Sequence, residues 1–457
     1  MKKSLLWIVV LILSISMVAA FSLYGCKAEE EAAAEEEAVE EAPAEAAVEE
    51  AVPAEEEAAP SKGVVTVLGT WGGDELTNFQ EAVFPFTDET GIGMAFEGTR
   101  DLAAVLTIRV EAGNPPDLAI LPNPGQMYEL AKDGRLIDVS QFMNMEELNQ
   151  NYAQAWLDLA SYNGTLYGIF YKVANKSLIW YNPSAFSAAG YEIPTTWDEL
   201  IALSDQIVSD GSTPWAIGFE SGPASGWPAT DWIEDIMLRT AGPDIYDQWV
   251  NHEISWTDEA VKNAWEVFGG IVGNEEYQYG GSTGTLTTNF GDAPASLFTS
   301  PPGAYMHRQA SFITGFFPEG LVAGNDYDFF PFPSIDPAYG IPVLGGADLI
   351  VVFNNTPEVQ QLVKYLATAQ PQEIWAAKGG GFISPNKAVS LDAYPDELTR
   401  KMAEMVVNAE VFRFDASDLM PAAVGSGSFW TGTLDYVGGE DLDTVLEEIE
   451  DSAVDAQ

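Results

Sequence analysis

From residue 63 onward the chain alternates short apolar runs with stretches of helical periodicity. "GVVTVLGTW" is rich in β-branched residues and predicts a strand that stops at Gly69, Thr70 and Trp71. "DELTNFQEAVFPFTDETG" then carries apolar residues at helical spacing, with Gly91 as the stop signal. "PPDLAIL" predicts a second buried strand, and "PGQMYELAKDGRL" a helix ended by a glycine. "YGIFYKV" and "SLIWYN" predict two further strands. In "PTTWDELIALSDQIVSDG", Thr196 stands as N-cap with Glu199 three residues on, the pattern of a capping box. "DLIVVF" and "TPEVQQLVKYLAT" repeat the strand-then-helix order late in the chain. The alternation predicts an α/β fold of parallel sheets flanked by helices, in which ligands sit at the carboxyl ends of strands. Trp71, Asn123 and Tyr171 fall at or near such ends. About 395 residues follow Lys62, too many for one ordinary core, so two lobes are expected.

The first 62 residues read differently. Lys2 and Lys3 precede an apolar run from Leu5 to Leu13 that continues loosely to Ala20, the charged and apolar regions of a secretory signal. A stretch of about 20 residues also suffices to span a bilayer, so composition leaves signal peptide and anchor helix both open. Cys26, the only cysteine, has no partner for a disulfide, and His252 and His307, the only histidines, are distant in sequence. "Leu23-Tyr24-Gly25-Cys26" resembles a bacterial lipobox, with Tyr24 where a small residue is usual. A signal peptide over 1–25 and a lipid on Cys26 are therefore expected. Residues 27–62 are almost only Glu, Ala, Val and Pro; 14 Glu against 2 Lys supply −12 of the net −51. Such a segment cannot bury a core and reads, over 26–62, as a disordered acidic tether.

The acidity that remains in the folded part argues against nucleic acid, whose phosphates require Lys and Arg. No HExxH or Walker loop is present, and two histidines leave little for a triad or a zinc site. Neither a metal nor a cofactor is expected. Paired carboxylates keep a secreted glycoside hydrolase open as an alternative. The denser signal is aromatic. Trp71, Trp227, Trp232 and Trp430 stand beside Gly, Pro, Asp or Ser at predicted element ends, whereas Trp197 and Trp265 read as helix-interior core. Aromatic faces next to carboxylates suit sugars, which present C–H faces and hydroxyl edges.

Several ordered pieces carry a family resemblance. They are "TWGGDE", "GNPPDLAILPNPGQMYELAKDGRL", "LYGIFYKVANKSLIWYNPSAFSAAGYEIPTTWDEL", "GWPATDWIEDIMLRTAG", "GADLIVVFNNTPEVQQLVKYLAT", "GGGFISPNKAV" and "FRFDASDLMP". From Val64 to the C-terminus the chain resembles the extracellular solute-binding proteins of ABC importers, the family of maltose- and α-glucoside-binding proteins. The resemblance implies two α/β lobes around a cleft, with hinge closure on a sugar and no turnover. It implies one lobe of 63–172 plus 337–380, a second of 173–336 plus 381–457, and a hinge at Phe170 to Val173. It implies an importer permease as partner, a monomer, and an extracytoplasmic location at the membrane through the Cys26 lipid, in a periplasm or at a cell surface.

The same resemblance carries over a ligand-binding set. Asp74 and Glu75 match the acidic pair after the first strand. Asn123 and Gln126 fall on the second site loop, and Trp227 and Trp430 on aromatic positions of the second lobe. Gly346 and Asp348 lie near the returning strand, and Arg413 and Asp415 in a block of the α-glucoside branch. Trp71, Tyr171, Asp231 and Tyr305 complete the set. "Pro-Asn-Pro" at 122–124 lacks the charges that maltose binders carry there, which argues against maltodextrin itself; the resemblance implies an oligosaccharide ligand, an α-glucoside such as trehalose, sucrose or maltose. A glycerol 3-phosphate-type anion is the alternative within the family, drawing on Arg308 and Arg413. Helix capping is the competing role for Asp415 and Asp418.

Overall fold

The computed structural model describes residues 63–456, so the expected signal peptide, the lipidated Cys26 and the acidic tether lie outside the described residues. β1 (Val64–Gly69) pairs in parallel with β2 (Gly93–Gly98) and β3 (Leu118–Leu121). Between β1 and β2 runs α1 (Gly73–Thr90), which buries Phe79, Ala82, Val83 and Phe86. Gly91 ends it with φ 72°, a left-handed conformation that glycine adopts without steric cost, and its N–H donates to Thr87 O. α2 (Pro124–Lys132) leaves the end of β3. This stretch follows the strand–helix–strand order of the sequence.

β4 (Gly168–Asn175) is buried at every position, and β5 (Leu178–Tyr181) follows it directly. β5 is the middle strand of a separate antiparallel sheet with β6 (Met306–Arg308) and β7 (Asp328–Pro331). β8 (Val343–Val352) then brings the chain back. It pairs antiparallel with both β3 and β4, and in parallel with β9 (Phe412–Phe414). The sheets are thus mixed and antiparallel rather than parallel as expected. Apolar runs specify buried strands but not their direction, and β8 enters its sheet after a long excursion through other elements. The register of β8 on β4 shifts between Asp348 and Leu349, an irregularity of the kind that re-aims side chains beside functional sites.

Two hydrophobic cores support these sheets. One gathers Leu68, Phe79, Leu118, Tyr171, Ile350, Leu362 and Trp375. The other gathers Ile179, Leu203, Trp232, Trp265, Phe268, Met306 and Phe429. Into the second packs α3 (Trp197–Ser209), whose capping box between Thr196 and Glu199 is formed in both directions. α4 (Trp227–Thr240) is buried from Pro228 through Arg239 and packs against α5 (Glu259–Val272). The helix Glu397–Val407 buries Leu398, Met402 and Ala403 in the first core. Among the described residues no helix is long and apolar enough to cross a membrane.

Candidate ligand cleft

β4 organises the site. Side chains alternate along a strand, so Lys172, Ala174 and, one step beyond its end, Lys176 share one face. All three line a cleft of about 330 Å³. Thr70 and Trp71 reach it from the end of β1, Asn123 and Gln126 from the end of β3, and Asp415, Ser417 and Asp418 from beyond β9. Carboxyl-end placement thus holds for these three strands.

Around Lys172 the wall is aromatic. Its ammonium is ion-paired with Glu75 and lies 5.8, 5.6 and 5.4 Å from the ring centres of Trp71, Trp375 and Phe312. Trp71 Nε1 donates to Asp348 Oδ2 at 3.2 Å. Burial pushes the Asp348 carboxyl up to about 6; Lys172 pulls it down and Glu75 pushes it up.

Around Lys176 the wall is a carboxyl network. Lys176 Nζ donates to Asp231 Oδ1 at 2.9 Å and to Asp415, and lies 5.4 Å from the Trp227 ring centre. Behind it, Arg308 lies 3.2 Å from Asp231 Oδ2 and 3.1 Å from Asp235 Oδ2, and Arg239 pairs with Asp235. Glu234 accepts from the N–H groups of Ala416 and Ser417 at 3.0 and 3.1 Å. Burial raises Asp231 to about 7 and takes Glu234 and Asp418 well above the ordinary carboxylate range. Asp415 goes the other way: burial opposes its ionisation, but Lys176 holds it below the usual value. Asp231, Glu234 and Asp415 bring carboxylate oxygens within 4.8 Å of one another, an arrangement able to hold a cation, and Lys176 already supplies one there.

The remaining surface is apolar, with a few unmet polar atoms. Trp227 packs on Phe290 and Phe312 with ring centres 5.1 and 5.9 Å apart. Trp430 follows a π-helical turn, Val424–Phe429, a rare geometry enriched at functional sites. Both indoles are only half-buried. Gly226, with φ 106°, lets them approach, since a Cβ there would lie 2.3 Å from Trp430 O. Asn123 Oδ1 and Ser221 Oγ line the cleft and are buried without any hydrogen-bond partner. Buried polar atoms are seldom left so, and a hydroxylated ligand would satisfy them.

Of the residues anticipated from sequence, Trp71, Glu75, Asn123, Gln126, Trp227, Gly346, Asp348, Asp415 and Trp430 line the cleft together. Five lie off it. Asp74 is exposed in the first turn of α1. Tyr171 points to the opposite face of β4 from Lys172 and is wholly buried among Trp71, Phe79 and Trp375. Asp231 is held behind Lys176. Tyr305 packs edge-on against Tyr191 at 5.1 Å. Arg413 is held by both oxygens of Asp247 at 2.6 and 2.8 Å. Trp71 touches the cleft from within the core, only 2% exposed, and is not a free stacking platform; Trp232 is buried in the second core. Arg308 is buried and paired, so it cannot serve an anionic ligand. Asp415 both caps the short helix Ala416–Leu419, accepting from Asp418 N–H at 2.9 Å, and holds Lys176.

Lys172, Lys176, Phe290, Phe312, Ser221 and Asp418 were not anticipated as site residues. The two lysines had a signal: Lys172 interrupts the apolar run 167–173, and Lys176 follows at even spacing, which puts both on one face.

The fold and cleft define a two-lobed solute receptor. The model of the bacterial extracellular solute-binding protein family matches residues 72–373. The chain belongs to this family, as a sugar-binding receptor of ABC importers and not an enzyme. It is 50% identical over 388 residues to the osmoprotective compounds-binding protein GgtB of Synechocystis, covering 85% of this chain and 92% of that one. It is 43% identical over 385 residues to the alpha-glucosides-binding periplasmic protein AglE of Rhizobium meliloti, covering 82% and 84%. Among solved structures, the bacterial solute receptor AcbH superimposes with a TM-score of 0.74 at 20% identity, covering 86% of this chain and 98% of that one, a likeness of fold. The family acts outside the cytoplasm.

Proposed function

We propose that this receptor captures a small neutral α-glucoside, such as trehalose, sucrose or maltose, and delivers it to an importer permease. The observation that carries this reading is the state of the cleft lysines. Lys172 and Lys176 both face the ligand space, and both are already neutralised by carboxylates. An anion would have to displace those partners, whereas a neutral polyol can use the unmet Asn123 and Ser221 atoms and stack on Trp227 and Trp430. A volume of about 330 Å³ lies at the lower end of the ~300–1,000 Å³ of small-molecule sites, which suits one or two sugar rings. The ligand classes of the 50% and 43% identical relatives, osmoprotective compounds and alpha-glucosides, support the same choice.

In this reading the lobes are 63–172 with 337–380 and 173–336 with 381–457, hinged at Phe170 to Val173, except that the stretch up to Phe414, whose helix Glu397–Val407 packs in the first core and whose β9 pairs with β8, goes with the first. Ligand favours the closed form because only that form contacts it from both walls. The monomeric receptor is held at the membrane by a lipid on Cys26 after removal of residues 1–25. Glycerol 3-phosphate is the alternative. Among the described residues, Arg100 is the one lining cation without a carboxylate ion pair, and it is exposed over Phe290 at 5.2 Å.

A thermal-shift screen against trehalose, sucrose, maltose, longer α-glucans, monosaccharides and glycerol 3-phosphate tests this. Ligand at about 1,000 times its Kd adds ~4 kcal/mol, a shift of several degrees. Stabilisation by an α-linked disaccharide and none by the phosphate is expected. Stabilisation by the phosphate alone would overturn the proposal.

A further inference from the structure

The network behind Lys176 is short of positive charge. Asp231, Glu234, Asp235, Asp415 and Asp418 share only Lys176, Arg239 and Arg308. Asp235 is held by two arginines, Asp231 by Lys176 and Arg308, and Asp415 by Lys176. Glu234 is turned toward the backbone of Ala416 and Ser417. Asp418 remains. It is 9% exposed and lines the cleft, and its carboxyl accepts no hydrogen bond from any described residue. The half-buried rings of Trp227 and Trp430 line the same space, and aromatic faces attract cations.

We propose that the cleft prefers glycosides carrying one protonated amine, whose ammonium pairs with the Asp418 carboxylate. This rests on the sugar-receptor reading and extends its ligand class from neutral glycosides to amine-bearing ones. The protons balance as follows. In the free receptor burial raises the Asp418 carboxyl well above the ordinary carboxylate range and so favours its protonated form; Asp415, Asp231 and Asp348 reinforce that, and Lys176 opposes it. An entering ammonium takes the place of this proton, which passes to the buffer. A neutral sugar leaves the proton where it is. Two other groups near this short helix are otherwise engaged: Glu129 of α2 accepts from Ala422 N–H at 3.1 Å, and Asp247 pairs with Arg413.

The test is titration calorimetry on the full chain, with trehalose and 4-amino-4-deoxytrehalose, in two near-neutral buffers of different ionisation enthalpy. The amino sugar is expected to bind about tenfold tighter, the scale of one charge-assisted hydrogen bond, and to release about one proton. Trehalose is expected to release none. In Asp418→Asn the ratio of the two affinities should fall to within about twofold, and Asp418→Glu should restore most of it. Equal binding of the two sugars, or a preference that survives in Asp418→Asn, overturns the proposal and leaves the sugar receptor standing. Absence of binding by either sugar, or by any sugar in the thermal screen, overturns both.

Discussion

Lys172 and Lys176 lie on the same face of one strand, four residues apart, and each sits near an indole ring. Their surroundings differ in kind. Lys172 has one carboxylate partner, Glu75, whose side chain is 15% exposed, and otherwise touches rings. Lys176 has two carboxylate partners, both almost fully buried, within a network of further acids and arginines. One wall of the cleft is therefore shaped by packing and the other by charge balance. A lysine in an apolar strand does not by itself reveal which of these tasks it performs; the elements that meet the strand decide.

The largest expected effect follows from removing the more deeply committed lysine. Lys176→Met leaves Asp415 buried without its cation and Asp231 with Arg308 alone, and breaking a buried pair costs about 3–5 kcal/mol. Urea unfolding measures it, and a loss below ~1 kcal/mol would erase the contrast between the walls. Trp71→Ala should cost a similar ~3–5 kcal/mol, because the ring is core with Phe79 and Trp375 at 5.0 and 4.9 Å. Lys172→Met should cost less, about 1–2 kcal/mol, since Glu75 can rehydrate. Trp430→Ala should barely move stability but weaken disaccharide affinity about tenfold, as a half-buried ring on the cleft does when it stacks on ligand. Unchanged affinity there would remove Trp430 from the site.

Much of the fold was legible in local pattern. The strands 64–69 and 118–121, the helix ended by Gly91 and the capping box at Thr196 all follow from residues within one turn or one strand of each other. The direction of Val343–Val352 did not, because its partners are set more than 150 residues earlier in the chain. The site shows the same division. Asn123 followed from its place at a strand end, whereas Gln126 and Asp348 came from the family resemblance. The orientation of Trp71 depends on Trp375, and the engagement of Arg413 on Asp247, both distant in sequence. Lys172 was visible as an anomaly in an apolar run and Lys176 by its even spacing from it, but their roles depend on carboxylates from three other segments.

The sharpest comparison of the two walls reads each through its own carboxyl. Asp348 is pushed up to about 6 by burial, so the folded receptor binds its proton more tightly than the unfolded chain. The stability this provides is fully present below the ordinary aspartate value of about 4, and is lost as pH rises through about 6. Asp348→Asn lacks this loss. The difference in unfolding free energy between variant and parent should therefore shift in favour of the variant across that window and be flat above it. For Asp231, raised to about 7 in the charged wall, the same experiment with Asp231→Asn should place the upper edge of the window about one unit higher. Urea unfolding at a series of pH values gives both curves. Superimposable windows would mean that the two walls share one electrostatic environment, and that the distinction between Lys172 and Lys176 is one of contacts alone.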